Sequence, residues 1–409
     1  MGVLLVQTGE TLAGRSVVMK ILYTNFHAGD GGGHTTYILT LAAALGGRHH
    51  VTVAAPGSSR LYLSAKEIPG VEAVALEFRN RLGAMVGSGW RLRQLIEKNR
   101  FDIVHVNGSA DHRIAMLATL GLKRTRPCIV FTKHNDLPVS GLSTWLKGKL
   151  GTDSVICVSD YTRRHLVKTV YDTKAVSVVH HGIDLRRFAP VASGVVERLR
   201  RRWGTEIPDG AMLVGSIAGT DDNKGWLHMV KAVALLPAAQ RELIRVVVGG
   251  RTPNAQQRAK VDALGMARHV IYTGLLHDVR PLVAAFDVGF VLSRRETLSF
   301  ACREMMAMGK PVIVSDSGGL PENVEAGVSG WIVGPHEHER IAQLLMRLLD
   351  NRLEVTLAGM AARARSVAQF SLQDFADRTE VVYQESLARM RPWAGSGGVA
   401  KWKVQRHLG

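Results

Sequence analysis

Residues Ser293 to Glu322 read SRRETLSFACREMMAMGKPVIVSDSGGLPE. Within this stretch Glu296 and Glu304 stand eight positions apart, and Phe300, Ala301, Met305, Met306 and Met308 have the spacing of an apolar helical stripe. Gly309 stops that helix and Pro311 opens a β-branched run. With the apolar run Val288–Leu292 ahead of it, the order is strand, loop, helix, glycine stop, strand, which is the unit of an open parallel sheet.

A glutamate in the loop before such a helix lies at the C-terminal edge of the sheet. Ligands bind at that edge, and backbone N–H groups at the helix start attract anions. Glu296 is therefore expected beside a bound phosphate. Glu304 is two turns too far along to be a cap, and aimed into the same crevice its carboxylate suits the paired hydroxyls of a ribose. The spacing alone also fits two solvated charges flanking an ordinary amphipathic helix.

Working outward, the same alternation recurs through the chain. Behind Ser293 lie the predicted strands Ala211–Ile217, Ile244–Val248 and Val270–Thr273, and ahead of it Pro311–Val314. The loop Gly219-Thr220-Asp221-Asp222-Asn223-Lys224-Gly225 leads into a helix, where Lys224 can reach a phosphate as a point charge. In the first half the predicted strands are Val17–Tyr23, His50–Ala55, Phe101–Val106, Cys128–Thr132, Ser154–Val158 and Val176–Val179, alternating with helical stretches. Two doubly wound α/β domains follow. At 409 residues the chain suits two domains of about 200 each better than one core.

The first strand is followed by His27-Ala28-Gly29-Asp30-Gly31-Gly32-Gly33-His34 and a helix expected from Thr35. Alone, this glycine-rich loop fits either a second anion site or a plain flexible loop, and it is not the dinucleotide fingerprint, because His34 occupies the place of the third glycine. His134 follows the strand Cys128–Thr132 at the sheet edge, whereas His105, inside a strand, reads as structural.

The three cysteines, Cys128, Cys157 and Cys302, sit in apolar stretches and read as small buried hydrophobes. No zinc-binding spacing is evident, and no apolar run approaches the roughly 18 residues of a membrane span. The N-terminus lacks a signal-peptide pattern. The net charge is +17, and residues 1–190 hold 24 Lys and Arg against 13 Asp and Glu, a balance of +11 that leaves +6 for the rest. A basic first half implies an anionic surface as partner. Two of its helical stretches, 79–100 with Met85, Trp90, Leu92 and Leu95, and 142–150 with Leu142, Trp145, Leu146 and Leu150, combine bases with large apolar groups. On the second, Lys147 and Lys149 are expected at the rim. Each stretch alone fits a core-facing helix; together with the charge they favour docking on anionic lipid.

Glu-x7-Glu, followed by Met-x-Ala-x-Gly-x-Pro-Val and Gly-Gly-Leu-Pro-Glu, resembles the signature of the retaining glycosyltransferases of family four, which have the GT-B fold of two Rossmann-like domains facing a central cleft. The resemblance extends to Asp102-Ile103-Val104-His105, Val158-Ser159-Asp160-Tyr161-Thr162-Arg163 and His181-Gly182-Ile183-Asp184, the last marking the domain boundary. It implies Glu296 and His134 at the donor sugar. It also implies donor contacts by Gly32, Gly33, Lys224, Thr297, Leu298 and Ser299, and ribose binding by Glu304. An arginine usual in the family five residues before the lysine is replaced here by Gly219. Either Lys224 holds the diphosphate alone, or Arg251 or Arg295 joins it.

The implied organisation is an N-terminal extension (1–18), an acceptor domain (19–189), a nucleotide-sugar domain (190–371), a helix crossing back (372–394) and a basic disordered tail (395–409). The implied donor is a UDP-, GDP- or ADP-sugar, and no cofactor is expected. No Asp-x-Asp pair is present to hold a metal on the diphosphate, and retention by front-face attack is the implied course. The charge and amphipathic stretches point to a lipid-linked or saccharide acceptor, lipopolysaccharide core being favoured, met in the cytoplasm at the inner face of a bacterial membrane. A sugar-nucleotide epimerase of the same fold is the main alternative. A nucleic-acid-binding protein is a lesser one, because no helix-turn-helix, zinc finger or RNA-binding aromatic pattern is present.

Overall fold

The computed structural model describes residues 18–79, 82–122, 125–201, 207–334 and 336–390. Most of the expected extension, Arg202, residues 391–394 and the basic tail lie outside them.

The first domain is a seven-stranded parallel sheet of β1 (Lys20–Thr24), β2 (His50–Ala55), β3 (Val71–Ala75), β4 (Ile103–Val106), β5 (Cys128–Lys133), β6 (Ser154–Cys157) and β7 (Ala175–Val178), in the order β3-β2-β1-β4-β5-β6-β7. The second has six strands, β8 (Met212–Ser216), β9 (Ile244–Gly249), β10 (Val270–Gly274), β11 (Val288–Val291), β12 (Val312–Ser315) and β13 (Gly330–Val333), in the order β10-β9-β8-β11-β12-β13. Every pairing is parallel, as β-branched runs joined by helices require. The central strands are buried on both faces, so each sheet carries a hydrophobic core on either side.

In each sheet the strand order reverses once, between β1 and β4 and between β8 and β11. A crevice opens outside the strand ends at such a point. The four loops that leave these strands are the glycine-rich loop, the turn at Asn107, the Lys224 loop and the Glu296 loop. The fold therefore gathers them before any side chain is considered.

The helix Leu372–Met390 completes the first domain rather than the second. Phe375, Ala376, Val382 and Tyr383 pack in one core with Ile21, Tyr37 and Val130. The Tyr383 hydroxyl lies 3.0 Å from that of Tyr23 and also bonds His105 Nδ1. The two passages between domains run side by side: the Ile183 amide donates to Phe370 O at 2.7 Å, and the Leu372 amide to Ile183 O at 3.1 Å.

Three expectations are corrected. The strand β3 is absent from the sequence reading, because Val-Glu-Ala-Val-Ala at a sheet edge lacks a continuous apolar run. The stretch from Pro190 to Arg202, with Arg198, Arg200, Arg201 and Arg202, reads as a charged connector, and Ser193–Arg201 within it is a helix docked on the second domain by an Arg200–Asp287 ion pair of 2.7 Å. On the helix Leu142–Leu150, Lys147 is not at the rim: it is 6% exposed, while Leu142 is 73% and Trp145 51% exposed. A Cβ on Gly148 would lie 2.4 Å from Val170, so this helix approaches its neighbour along its glycine line and turns its apolar stripe outward.

Candidate active site

A cavity of 390 Å³ lies at the crevice, lined from both domains. Of the residues expected at the site, Gly33, His134, Lys224, Glu296, Thr297, Leu298, Ser299 and Glu304 line it. Gly32 is the first residue of the helix Gly32–Leu45, which starts earlier than expected, and it stands next to the lining. The two candidate diphosphate bases are not brought in. Arg295 is 60% exposed along its side chain and grips Asp136 through Nε at 2.9 Å and Nη2 at 2.6 Å, and Arg251 is exposed outside the lining.

Three helix starts meet the cavity: Gly32–Leu45 at Gly33, Trp226–Ala234 just after Lys224, and Phe300–Ala307 at Ser299 and Phe300. Their first-turn amides give the crevice a positive end suited to phosphate. Lys224 Nζ lies 2.9 Å from Glu296 Oε2, both side chains being largely buried. An entering phosphate can share or take over that lysine.

The Glu296 loop is held rigidly. Ser299 has φ +90°, unusual outside glycine, and its hydroxyl accepts from the Cys302 amide at 3.3 Å to start the helix. The Gly319 amide donates to Glu296 O at 3.0 Å, and a Cβ on Gly319 would stand 2.0 Å from Thr297 O. The Gly-Gly pair of the quoted stretch thus lets one loop lie directly on the other.

The same loops tie the domains together. Thr297 Oγ1 donates to His134 O at 2.8 Å. The Glu322 carboxylate accepts from the Asp160 and Tyr161 amides at 2.9 and 2.8 Å and lies 3.0 Å from His180 Nε2. Burial would raise its pKa, but His180 and the two amides together hold it below the ordinary value.

His134 sits between two rings, with centroids 4.3 Å from His34 and 4.6 Å from Tyr37. Asn107 Nδ2 already donates to Thr24 O and His105 O, so its Oδ1 faces His134 Nε2 at 2.9 Å, and that nitrogen carries the proton. Burial, then the neighbouring histidines His34, His105, His181 and His27, push its pKa well below the ordinary value. His134 is a neutral ring whose Nδ1 can accept from a hydroxyl.

Glu304, on the helix Phe300–Ala307, lines the same cavity. Desolvation raises its pKa to about 7, with Arg187 opposing.

The sequence reading missed His34, Tyr37 and His181 as lining residues. His34 was noted only as a misplaced glycine, although a histidine three residues into a helix points back over its start. His181 stacks on Phe300 at 3.7 Å, a contact between distant segments that no local pattern encodes.

Beside the main cavity a recess of 150 Å³ opens in the first domain, sharing His134. Two buried lysines line it. Lys133 is 5% exposed and donates to Asn135 Oδ1 at 3.0 Å and Leu137 O at 2.7 Å; Lys147 donates to Ser109 Oγ at 2.8 Å. Both bond to neutral oxygens. Burial pulls both pKa values down, that of Lys133 to about 8.

Two facing parallel-sheet domains with an anion-suited crevice between them define a GT-B protein. The chain belongs to the family-four glycosyltransferases: the model described as Glycosyltransferase Family 4 matches residues 31–187, and that described as Glycosyl transferases group 1 matches residues 210–351. It is 29% identical over 220 residues to 2-deoxystreptamine glucosyltransferase of Streptomyces kanamyceticus, covering 53% of this chain and 56% of that enzyme, so the match spans about half the length of that relative. It is 24% identical over 372 residues to spore coat protein SA of Bacillus subtilis, covering 87% of this chain and 95% of that protein. The solved structure of HepE of Anabaena in complex with UDP superposes with a TM-score of 0.77 at 18% identity, covering 90% of this chain and 100% of that one, and shows the same fold.

Proposed function

We propose that the chain transfers a hexose from a nucleotide sugar to a hydroxyl of an anionic cell-envelope acceptor, with retention of configuration and without a metal. The observation that carries this reading is the convergence of Lys224, Glu296, Glu304 and His134, from both domains, on one cavity ringed by helix starts. In the reaction the bond from the anomeric carbon to the diphosphate breaks, and the leaving oxygens keep the electron pair. Lys224 and the helix amides stabilise that charge. The acceptor oxygen bonds to the same face, and its proton passes to a leaving phosphate oxygen. Glu296, ion-paired to Lys224, orients donor hydroxyls rather than forming a covalent intermediate, and Glu304 accepts from the ribose diol.

A donor panel tests the first half. One of the UDP-, GDP- or ADP-sugars is expected to raise the melting temperature of the wild type and to shift Glu304→Gln less. Because the ionised carboxylate is the better acceptor, donor affinity should rise with pH through about 7 and be about tenfold higher at pH 8 than at pH 6. Glu304→Gln should lose that dependence. The opposite sign holds for stability: a carboxyl protonated in the fold but ionised when unfolded costs stability as pH rises from its unfolded value to about 7. No response to any nucleotide sugar would overturn the reading, as would a product of inverted configuration.

The acceptor side rests on the lysine recess. Two desolvated ammonium groups beside His134 suit a phosphate or carboxylate on the acceptor, as a lipopolysaccharide core or another charged glycolipid carries. Outside, Trp145 and Leu142 on one helix and Trp90 on the helix Leu82–Asn99 are exposed, and both helices pack on Ser109–Thr119. This supports docking of the basic domain on anionic lipid from the cytoplasmic side. Lys147→Met is expected to raise the acceptor KM by roughly 10- to 100-fold, the worth of a charge-assisted hydrogen bond, while leaving the donor thermal shift unchanged. An unchanged acceptor KM would remove the recess from the acceptor site.

A further inference from the structure

Away from the cleft, three histidines meet where two helices of the second domain pack together. His228 lies in the first turn of the helix Trp226–Ala234, and His338 opens the helix His338–Asp350, with His336 just before it. His228 Nδ1 is 2.8 Å from His338 Nε2, and the His336 ring centroid is 4.5 Å from that of His228. One ring nitrogen from each histidine falls within a cluster no wider than 4.8 Å. His336 holds a φ of +74°, a conformation that a non-glycine residue adopts only when its surroundings impose it.

We propose that His228, His336 and His338 form a binding site for a divalent d-block cation of the Zn²⁺, Co²⁺ or Ni²⁺ class. Three imidazoles are a donor set that such ions favour over Mg²⁺ or Ca²⁺, and they leave one coordination position for water. At metal–nitrogen distances of about 2.0–2.1 Å, tetrahedral ligands stand roughly 3.4 Å apart. The 2.8 Å pair therefore has to open by only about half an ångström. His336 is exposed, so the site is reached from solvent without unfolding.

The surroundings are mixed in charge. Lys231 and Arg294 lie near His228, and Lys231 and Glu339 near His338. Burial, then the two partner rings, holds the pKa of His228 at about 4, leaving it neutral at pH 7. A bound ion would join two helices far apart in sequence and stiffen the start of the helix that follows Lys224.

None of the three histidines lines the transferase cavity, and the test needs no substrate. Full-length protein titrated with CoCl2 should show one tetrahedral visible spectrum per chain, displaced by ZnCl2, with calorimetry giving one Zn²⁺ per chain. His336→Ala, a change at an exposed position whose fold is checked by circular dichroism, should weaken Zn²⁺ at least tenfold, and His228→Gln with His338→Gln should abolish the cobalt spectrum. Equal affinity and stoichiometry in His336→Ala would put the ion elsewhere and overturn the proposal, as would absence of the tetrahedral spectrum in the wild type.

Discussion

Lys224→Met is expected to slow transfer by about two to three orders of magnitude, the loss found when one preorganised donor to a developing oxyanion is removed. The effect is large for two reasons. The ammonium is the sole side-chain cation lining the cavity among the described residues, since Arg251 and Arg295 lie outside it. Its removal also leaves Glu296, now 2.9 Å from Nζ, as an uncompensated carboxylate facing the incoming diphosphate. Charge on the leaving group grows in the transition state, so the loss should fall on kcat more than on KM. Steady-state kinetics at saturating donor checks this. A change confined to the donor KM would show that Lys224 only binds. Lys224→Arg should recover part of the rate, because the charge is kept while the geometry is not.

The second large effect concerns stability. Tyr383→Ala should destabilise the first domain by roughly 3–5 kcal/mol, as other large aromatic truncations in cores do. The ring is fully buried against Tyr23, Tyr37 and Phe375, and its hydroxyl is shared with Tyr23 and His105. Truncation leaves both a cavity and two buried polar groups short of a partner. Tyr383→Phe keeps the packing but leaves the same two groups without that hydroxyl, so it should cost about 1–3 kcal/mol. The readout is the denaturant midpoint of the first-domain transition, followed apart from that of the second domain because a two-domain chain need not unfold in one step. A loss below about 1 kcal/mol for the alanine variant would show that the terminal helix is merely attached.

Much of this architecture was legible in the residues. The quoted stretch is legible as helix and strand because two boundaries are marked by residues with one physical meaning: Gly309, with φ +75°, at the helix stop and Pro311 before the strand. Glu296 is placed in a loop at a sheet edge by the periodicity around it, while the roles expected of Glu296 and Glu304 come from the resemblance, since the spacing alone also fits two solvated charges. What stayed hidden depends on contacts between distant segments. Lys147 reads as a rim residue beside the apolar stripe of Leu142, Trp145 and Leu146, yet Gly148 allows the closest approach and turns Lys147 inward. Arg295 reads as a free base near a phosphate loop, but Asp136, in the other domain, claims it. Glu322 reads as the end of a motif, and its capping of the Asp160 and Tyr161 amides appears only once the domains meet.

The return of the last helix to the first domain has a consequence for biosynthesis. The strands of that domain leave the ribosome first, yet the Phe375 and Tyr383 side chains that seal their core are translated after the whole second domain. The second domain, contiguous along the chain, can reach its native state while the first still presents Ile21, Tyr37 and Val130 without their cover. The part made earliest is finished last, and that interval is when the nascent chain most needs a chaperone to shield it from aggregation.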